Sequence, residues 1–435
     1  MSVLTFRGGV HPKEGKELSK SAPIRKVLPG KEVVLALGQH IGAPASPTVA
    51  VGDYVLVNGK VGAAQGAVSA NIYSPVSGVV KAVEPRMMAN GLKVNCVIIE
   101  NDDKYEKAKD PFKCDGSKNS ILNAIKEAGI VGMGGAGFPT HVKLSPKHPK
   151  DIEYIVVNGA ECEPYLTSDY RRMIESPEVI VEGLNIILSL FENAKGIIAI
   201  EDNKMDAIIK MRGYIKNYDR ISIKTVYTKY PQGGERTLIK AVTDREINSK
   251  MLPADVGCIV NNIDTVCAIY QAVKNNQPLI SRIVTVSGDA IKNPCNLEVC
   301  VGTSIADIIE EAGGFKGQPE KIISGGPMMG TAIFDINTPV TKGTSAILCF
   351  SKDEVAKHEA SNCINCGRCV DVCPAHVLPA RLALHAEHGN VDEFVKMKGL
   401  ECCECGCCSY ICPAKRNLTQ SIKTMRKSVL ASKKK

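Results

Sequence analysis

Near the end of this 435-residue chain, Cys363, Cys366, Cys369 and Cys373 stand in the order C-x2-C-x2-C-x3-C, with Pro374 directly after. Cys402, Cys405, Cys408 and Cys412 repeat that spacing, and Pro413 follows. Thiolates are soft anionic ligands, and three of them two residues apart can wrap the irons of one cubane from a tight loop. The fourth, set behind the loop and before a proline, ligates the other cluster in two-cluster ferredoxins. The spacing therefore predicts two [4Fe–4S] clusters. Cys363, Cys366, Cys369 and Cys412 would hold one, and Cys402, Cys405, Cys408 and Cys373 the second. A chain so equipped moves single electrons.

Other uses of these thiols fit poorly. Structural zinc pairs one C-x2-C with a second pair some distance away, not with two more cysteines in the same short run. Disulfides need an oxidising compartment, and Met1–Val10 lacks the apolar core of an export signal, so reduced thiols are expected. Counting back from Cys412 and Pro413, only Cys408, Cys405 and Cys402 satisfy the spacing. Cys403 and Cys407 are then spare, either packed as small apolar groups or tuning a cluster through nearby sulfur. No ligand is missing, which argues against a three-iron form.

The chain that positions these ligands is too long for one typical core, and two to four domains are expected. Its 23% of charged residues fit a soluble globular protein. No run of about 18 apolar residues occurs; the best candidate, Val179–Phe191, is short and carries Glu182 and Asn185. The formal charge of +8 is concentrated in a basic end, Lys423–Lys427 and Lys433–Lys435. That end reads first as a solvated tail, and otherwise as an anchor for anionic lipid or a dock for an acidic redox partner. Nucleic acid is a poor fit, since no aromatics interleave the basic residues.

Up to about Glu100, β-branched runs (Lys31–Leu37, Tyr54–Val57, Val94–Glu100) alternate with Gly- and Pro-rich turns. The stretches Val51–Val55 and Ser74–Val80 resemble the lipoyl or biotinyl carrier fold. No lysine lies near Ala67, where a carrier would be modified, so residues 1–112 read as a structural or docking barrel-sandwich. From Ser117 the period changes. Ile121, Leu122, Ile125 and Ala128 mark a helix face, and strands at Tyr154–Asn158, Gly196–Glu201 and Ile221–Tyr227 alternate with helices at Val179–Phe191 and Met205–Ile215. That alternation predicts a mostly parallel sheet across residues 113–278. Residues 279–350 return to short β segments around one helix, Ser304–Ala312, as in a small β-grasp-like module. Residues 351–435 read as helices around the cysteine loops, with Pro379–His388 and Val391–Met397 predicted helical. The fold class expected is thus multidomain α/β.

Gly132–Gly137 fits G-x-G-x-x-G, but a helix precedes it where a Rossmann turn needs a strand, and Pro139 interrupts the next helix. On the residues alone the segment is either a flexible surface loop or a ligand loop. In the second case, backbone N–H groups approach a phosphate or flat ring while Lys143 supplies charge.

The longer string Gly134-Gly135-Ala136-Gly137-Phe138-Pro139-Thr140, with Lys143 three residues on, resembles the NADH-binding flavoprotein subunit of respiratory complex I. So do Val157–Pro164, Gly233–Leu238 and Asn261–Thr265, in that family's order. The resemblance implies an FMN site on Gly134, Gly135, Gly137, Lys143, Asn158, Glu161, Gly234, Asn261 and Asn262. Phe138 would stack on the adenine of NADH, and Glu163 and Glu235 would lie by the nicotinamide as the catalytic pair. The chain departs from that family at Ala160, where an acidic residue is usual, and at Ser145-Pro146, where a second aromatic is usual.

Taken with the start Phe6–Pro12, the carrier-like module, Gly325–Gly330 and the two cysteine runs, the whole order resembles the C subunits of Rnf electron-transport complexes. That resemblance implies a peripheral subunit on the cytoplasmic membrane face, without a membrane span. It would exchange electrons between NAD(H), FMN, two [4Fe–4S] clusters and ferredoxin, alongside other subunits of the complex. A flavin is the adapter such a chain needs, because hydride brings two electrons and a cluster takes one. The alternatives are a soluble hydrogenase-type NADH flavoprotein and a relay or scaffold subunit that has lost its flavin.

Overall fold

The computed structural model describes residues 3–432, so Lys433–Lys435 of the basic end lie outside the described residues. Near the N-terminus, strands Glu32–Ala36, Lys93–Asn101, Gly78–Met87 and Tyr54–Val55 form one antiparallel sheet, in that order. Ser46–Pro47, Lys60–Ala63 and Ile72–Tyr73 form a second. Inward residues of both sheets, among them Val33, Leu35, Val61, Ile72, Val80, Val97 and Ile99, share one core. This is the barrel-sandwich. Strand Lys93–Asn101 buries Cys96 through Ile99 in succession, with Val97 and Ile99 in this core and Cys96 in a small cluster with Ala36 and Met88.

The first strand of the chain, Ile24–Lys26, lies elsewhere. It pairs in parallel with Cys295–Cys300, at the edge of a six-stranded mixed sheet built mainly from residues 281–350. The expectation of one module over residues 1–112 therefore needs amending for its first thirty or so residues, which run across the other modules. Local pattern could not reveal this, because the pairing partner is remote in sequence. Helix Ile305–Glu311 packs on the sheet, and the Ser304 hydroxyl caps it by accepting from the Ala306 amide.

The central layer is a four-stranded parallel sheet, in the order Ile221–Val226, Lys195–Glu201, Tyr154–Gly159, Cys258–Asn262. Helices Lys118–Glu127, Pro177–Ser189, Met205–Tyr214 and Ile263–Asn275 cover one face through a large aliphatic cluster. Glu235–Thr243 covers the other through Leu238, Ile239 and Val242. Chain order runs outward from Tyr154–Gly159 in both directions, so a topological switch point falls between that strand and Cys258–Asn262. In open α/β sheets, ligands bind at the carboxyl ends of such strands. Asn158 and Asn262 are paired there in register.

The last module is helical. Leu382, Phe394, Leu418, Ile422, Met425 and Val429 form its core together with Cys373 and Cys408. The two cysteine runs fold as a structural repeat. Asn365, Gly367 and His376 have positive φ in the first, as do Glu404, Gly406 and Lys415 at the equivalent places in the second. Gly367 and Gly406 each open the short helix that carries the third cysteine, and the fourth follows just after it. Of the basic end, Lys423–Lys427 is not a free tail. It lies in helix Leu418–Ser432, where Arg426 pairs with Glu404 at 2.6 Å.

Candidate functional site

The glycine loop lies against the switch point. The Met133 amide donates to Thr265 Oγ1 at 3.0 Å, and a Cβ on Gly134 would stand 2.9 Å from Asn262 Cβ. Gly134 and Gly135 are exposed, and nothing comes within 4 Å of a Cβ placed on Gly135. At Gly137, φ +72°, a Cβ would stand 3.1 Å from His40 Cα, and the Gly137 carbonyl accepts from the Ile41 amide at 3.2 Å, so the barrel-sandwich buttresses the loop. Phe138 is half-buried beside it. Lys143 Nζ donates to the Val260 carbonyl at 2.8 Å and lies 3.6 Å from the Glu235 carboxylate. Glu235 opens helix Glu235–Thr243, whose N-cap is Gly234. The Asn158 amide holds the Gly233 carbonyl at 2.8 Å. Gly134, Lys143, Asn158, Gly234, Glu235, Asn261 and Asn262 are thereby gathered around two adjacent strand ends.

Glu161 and Glu163 are engaged differently. Glu161 is buried and accepts from the Asp169 amide at 2.9 Å and the Ser168 hydroxyl at 3.3 Å, with Lys16 Nζ 3.9 Å away. Its carboxylate caps helix Ser168–Glu175, and that accounts for its position without any ligand. Glu163 accepts from the amides of Met328 at 3.1 Å and Met329 at 3.0 Å, tying the sheet to the Gly325–Gly330 loop. Burial raises its carboxyl to about 7, against the pull of those two amides. Neither contact is with Glu235.

The pocket residues fit a polar planar ligand. Asn261 is 3% exposed, and its Nδ2 has no hydrogen-bond partner among the described residues. Gln232 Nε2 and Thr140 Oγ1 are likewise buried and unpaired. Such donors cost about 1–3 kcal/mol each when unmet, so a bound ligand's acceptors answer a need the protein leaves open.

The cysteines gather in two places. Cys363, Cys366, Cys369 and Cys412 line a cavity of about 220 Å³, together with Arg381 and Arg416. Cys373, Cys402, Cys405 and Cys408 line a tighter one, with the spare Cys403 and Cys407 in its wall. Among the described residues, no three His, Cys, Asp or Glu side chains converge closely enough for a bare ion. Four thiols around a wider space suit a multi-atom cluster better than zinc, whose sulfurs sit only about 2.3 Å from the metal. Burial lifts the Cys402 and Cys408 thiols to about 11, so ligation there must release protons.

The two cradles differ in setting. Cys363 and Cys366 are exposed. Cys405, Cys407 and Cys408 are buried, and Cys405 and Cys407 share an apolar cluster with Tyr230 and Val10, flanked by Cys162 and Met328. The Cys407 thiol donates to the Tyr230 carbonyl at 3.7 Å. Arg236, next to Glu235, reaches Glu401 at 3.2 Å, and Ser249 binds the same carboxylate. The start of the chain is a strap across this seam. The Gly9 amide bonds to Val372 O, and Val10 pairs with Tyr230. Motif order singles out Phe6–Pro12 without giving it a task, and it misses Lys16 altogether. That lysine is buried, with Nζ on the Glu163 and Leu166 carbonyls at 3.0 and 2.5 Å. A lone lysine in an irregular segment carries no periodic signal.

Family models match the chain in four places. They are the RnfC barrel sandwich hybrid domain over residues 4–104, the Nuo51 FMN-binding domain over 125–271, the SLBB domain over 283–332 and a 4Fe-4S binding domain over 355–378. The C subunit of the Na(+)-translocating ferredoxin:NAD(+) oxidoreductase complex of Acetobacterium woodii is 43% identical, over 99% of this chain and 98% of the relative. Its counterpart in the proton-translocating complex of Clostridium ljungdahlii is 44% identical, over 87% of this chain and 84% of the relative. In fold, the chain is similar to an NAD+-reducing [NiFe]-hydrogenase at 19% identity and a TM-score of 0.51, covering 65% of this chain and 55% of that one. The chain therefore belongs to the family of C subunits of ion-translocating ferredoxin:NAD(+) oxidoreductase complexes.

Proposed function

We propose that the chain is the NAD(H)-reacting subunit of an Rnf-type ferredoxin:NAD+ oxidoreductase, passing electrons between a nicotinamide pocket and two [4Fe–4S] clusters. The observation that carries this reading is one seam. It places the pocket segment Tyr230–Arg236 directly against the buried cysteine cradle. Bound at the strand ends, FMN would take electrons as hydride pairs and give them up singly to iron–sulfur clusters. Gly134, Gly135 and Gly137 would let backbone amides approach it, Lys143 would meet its phosphate, and Asn158, Asn261 and Asn262 would fix its polar edge. Phe138 would face the adenine of NADH, and Glu235 would border the nicotinamide. Glu161, bound to the Asp169 amide, and Glu163, bound to the Met328 and Met329 amides, would brace the segments around this pocket. Cys373, Cys402, Cys405 and Cys408 would hold the cluster next to the pocket. Cys363, Cys366, Cys369 and Cys412 would hold the one facing solvent and a partner.

Among the described residues no helix is long and apolar enough to cross a membrane. As a subunit of such a complex, the chain would sit peripherally on the cytoplasmic face, docked on membrane-embedded subunits, with ferredoxin reached directly or through one of them. Anaerobic purification followed by iron, sulfide and flavin analysis tests the reading. About eight iron and eight sulfide ions with one FMN per chain are expected, bleached by NADH. A preparation with clusters and no flavin would make it a simple electron relay. A colourless chain indifferent to NADH would overturn the proposal.

A further inference from the structure

Glu235 and Arg236 are neighbours in the first turn of helix Glu235–Thr243, and their charges serve different partners. The Glu235 carboxylate lies 3.6 Å from Lys143, whereas Arg236 Nη1 donates to the Glu401 carbonyl at 3.3 Å and to the Glu401 carboxylate at 3.2 Å. That first turn is itself fixed. Thr237 Oγ1 donates to the carbonyls of Pro231 at 2.6 Å and Gly234 at 2.8 Å, and Leu238 and Ile239 are fully buried. Ser249 completes the grip on Glu401. Its amide donates to one carboxylate oxygen at 2.7 Å and its hydroxyl to the other at 2.5 Å.

Glu401 directly precedes Cys402. The cysteine module braces the same stretch from within. Arg426 reaches the Leu400 carbonyl at 3.3 Å and the Glu404 carboxylate at 2.6 Å, and the Glu404 amide donates to Cys402 Sγ at 3.4 Å. Cys402 is thus held by Arg426 of its own module and by Arg236 and Ser249 of the flavoprotein module. Elsewhere on the seam, Tyr230 packs with Cys405 and Cys407 in an apolar cluster, and apolar packing has no preferred direction. Charge-assisted hydrogen bonds do have one. An ion pair whose side chains are 30% and 25% exposed adds little stability, so what Arg236 supplies is register between the modules.

We infer that Arg236, together with Ser249, is a positioning residue for electron transfer. Through Glu401 it fixes Cys402, and the cluster that Cys402 would ligate, at a set distance from the pocket that Glu235 would border. This deepens the reading proposed above and rests on it, and the iron, sulfide and flavin content of the unaltered chain tests that reading separately.

The experiment uses the anaerobic full-length holoprotein carrying Arg236→Met, which keeps most of the side chain's length and loses its charge and its donors. Flash photoreduction of the bound flavin isolates the electron step from hydride transfer. EPR checks that both clusters are present, the exposed one being identified by its broadening with a soluble paramagnetic relaxer. Electron passage from the flash-reduced flavin to the buried cluster should slow about tenfold, as small misplacements of reacting groups do. The rate at which NADH bleaches the flavin, and its dependence on NADH concentration, should stay unchanged. Arg236→Lys, which keeps a cation for the Glu401 carboxylate, should restore part of the electron rate. Ser249→Ala repeats the test if the methionine chain loses a cofactor, and should show the same selective slowing to a smaller degree. With cofactor content intact, an unchanged electron rate, or equal slowing of the hydride and electron steps, would overturn the inference.

Discussion

The two cysteine cradles share ligand spacing, left-handed glycines and trailing prolines, yet they inhabit opposite environments. One keeps Cys363 and Cys366 at the surface, beside Arg381 and Arg416. The other has Cys403 and Cys407 in its wall, and Cys405 and Cys407 pack against Tyr230 of the flavoprotein module. Ligand identity is therefore not what distinguishes the two. Solvent exposure and hydrogen bonding to sulfur do, and these are the protein's means of setting a cluster's potential. In the proposed electron path, the buried cradle exchanges electrons with the pocket and the exposed one with a partner.

The largest effect expected is from interrupting that order. Cys405→Ser should leave NADH-dependent bleaching of the flavin intact and reduce electron delivery to the exposed cluster to background, followed by EPR. Cys366→Ser should leave the buried cluster reducible by NADH. If both variants behaved alike, the difference between the cradles would carry no functional meaning.

A second test sharpens the seam itself. A Cβ on Gly326 would meet Glu163 Oε2 at 2.2 Å. Gly326→Ala should accordingly cost about 1–3 kcal/mol of stability, read by denaturant unfolding of the holoprotein.

The pH dependence of that contact has a definite sign. The Glu163 carboxyl rises from 4.5 to about 7 on folding, so the native state binds more protons than the unfolded chain between these values. Its contribution to stability is fully present below about pH 4.5 and is lost as pH rises toward 7. Glu163→Gln should flatten the stability profile across that window, and an unchanged slope would assign the dependence elsewhere.

The smallest effect expected is at the exposed Glu235, which partners Lys143 across 3.6 Å. Placed beside the nicotinamide, Glu235 would help to hold that ring, and Glu235→Gln should lower kcat/KM for NADH about fivefold, in keeping with the modest worth of exposed charge pairs.

Much of this architecture is written in local pattern. The cysteine runs announce their chemistry because metal ligands must recur at short, rigid intervals. The parallel sheet shows itself because buried strands such as Tyr154–Gly159 and Lys195–Glu201 are nearly continuous aliphatic runs. The N-cap at Ser304 is readable for a similar reason: the residue and the orphan amide it serves are two positions apart. What stayed hidden is non-local. The edge strand Ile24–Lys26 finds its partner far along the chain, and three residues carry no period to announce them. Buried Lys342 donates to the carbonyls of Asn71 and Gly129 at 2.7 Å each, joining three modules through one ammonium that burial lowers to about 7. Tyr230 and Lys16 are of the same kind. Single polar groups at domain seams look like surface residues until the seams exist. For Glu161, the family pattern points to a ligand, whereas its observed contacts are those of a helix cap.

The most direct test of the electron order is rapid freeze-quench EPR after mixing the anaerobic holoprotein with NADH. The buried cluster's reduced signal should rise first, and the relaxer-sensitive signal of the exposed cluster should follow. Reduction of the exposed cluster before the buried one would contradict it.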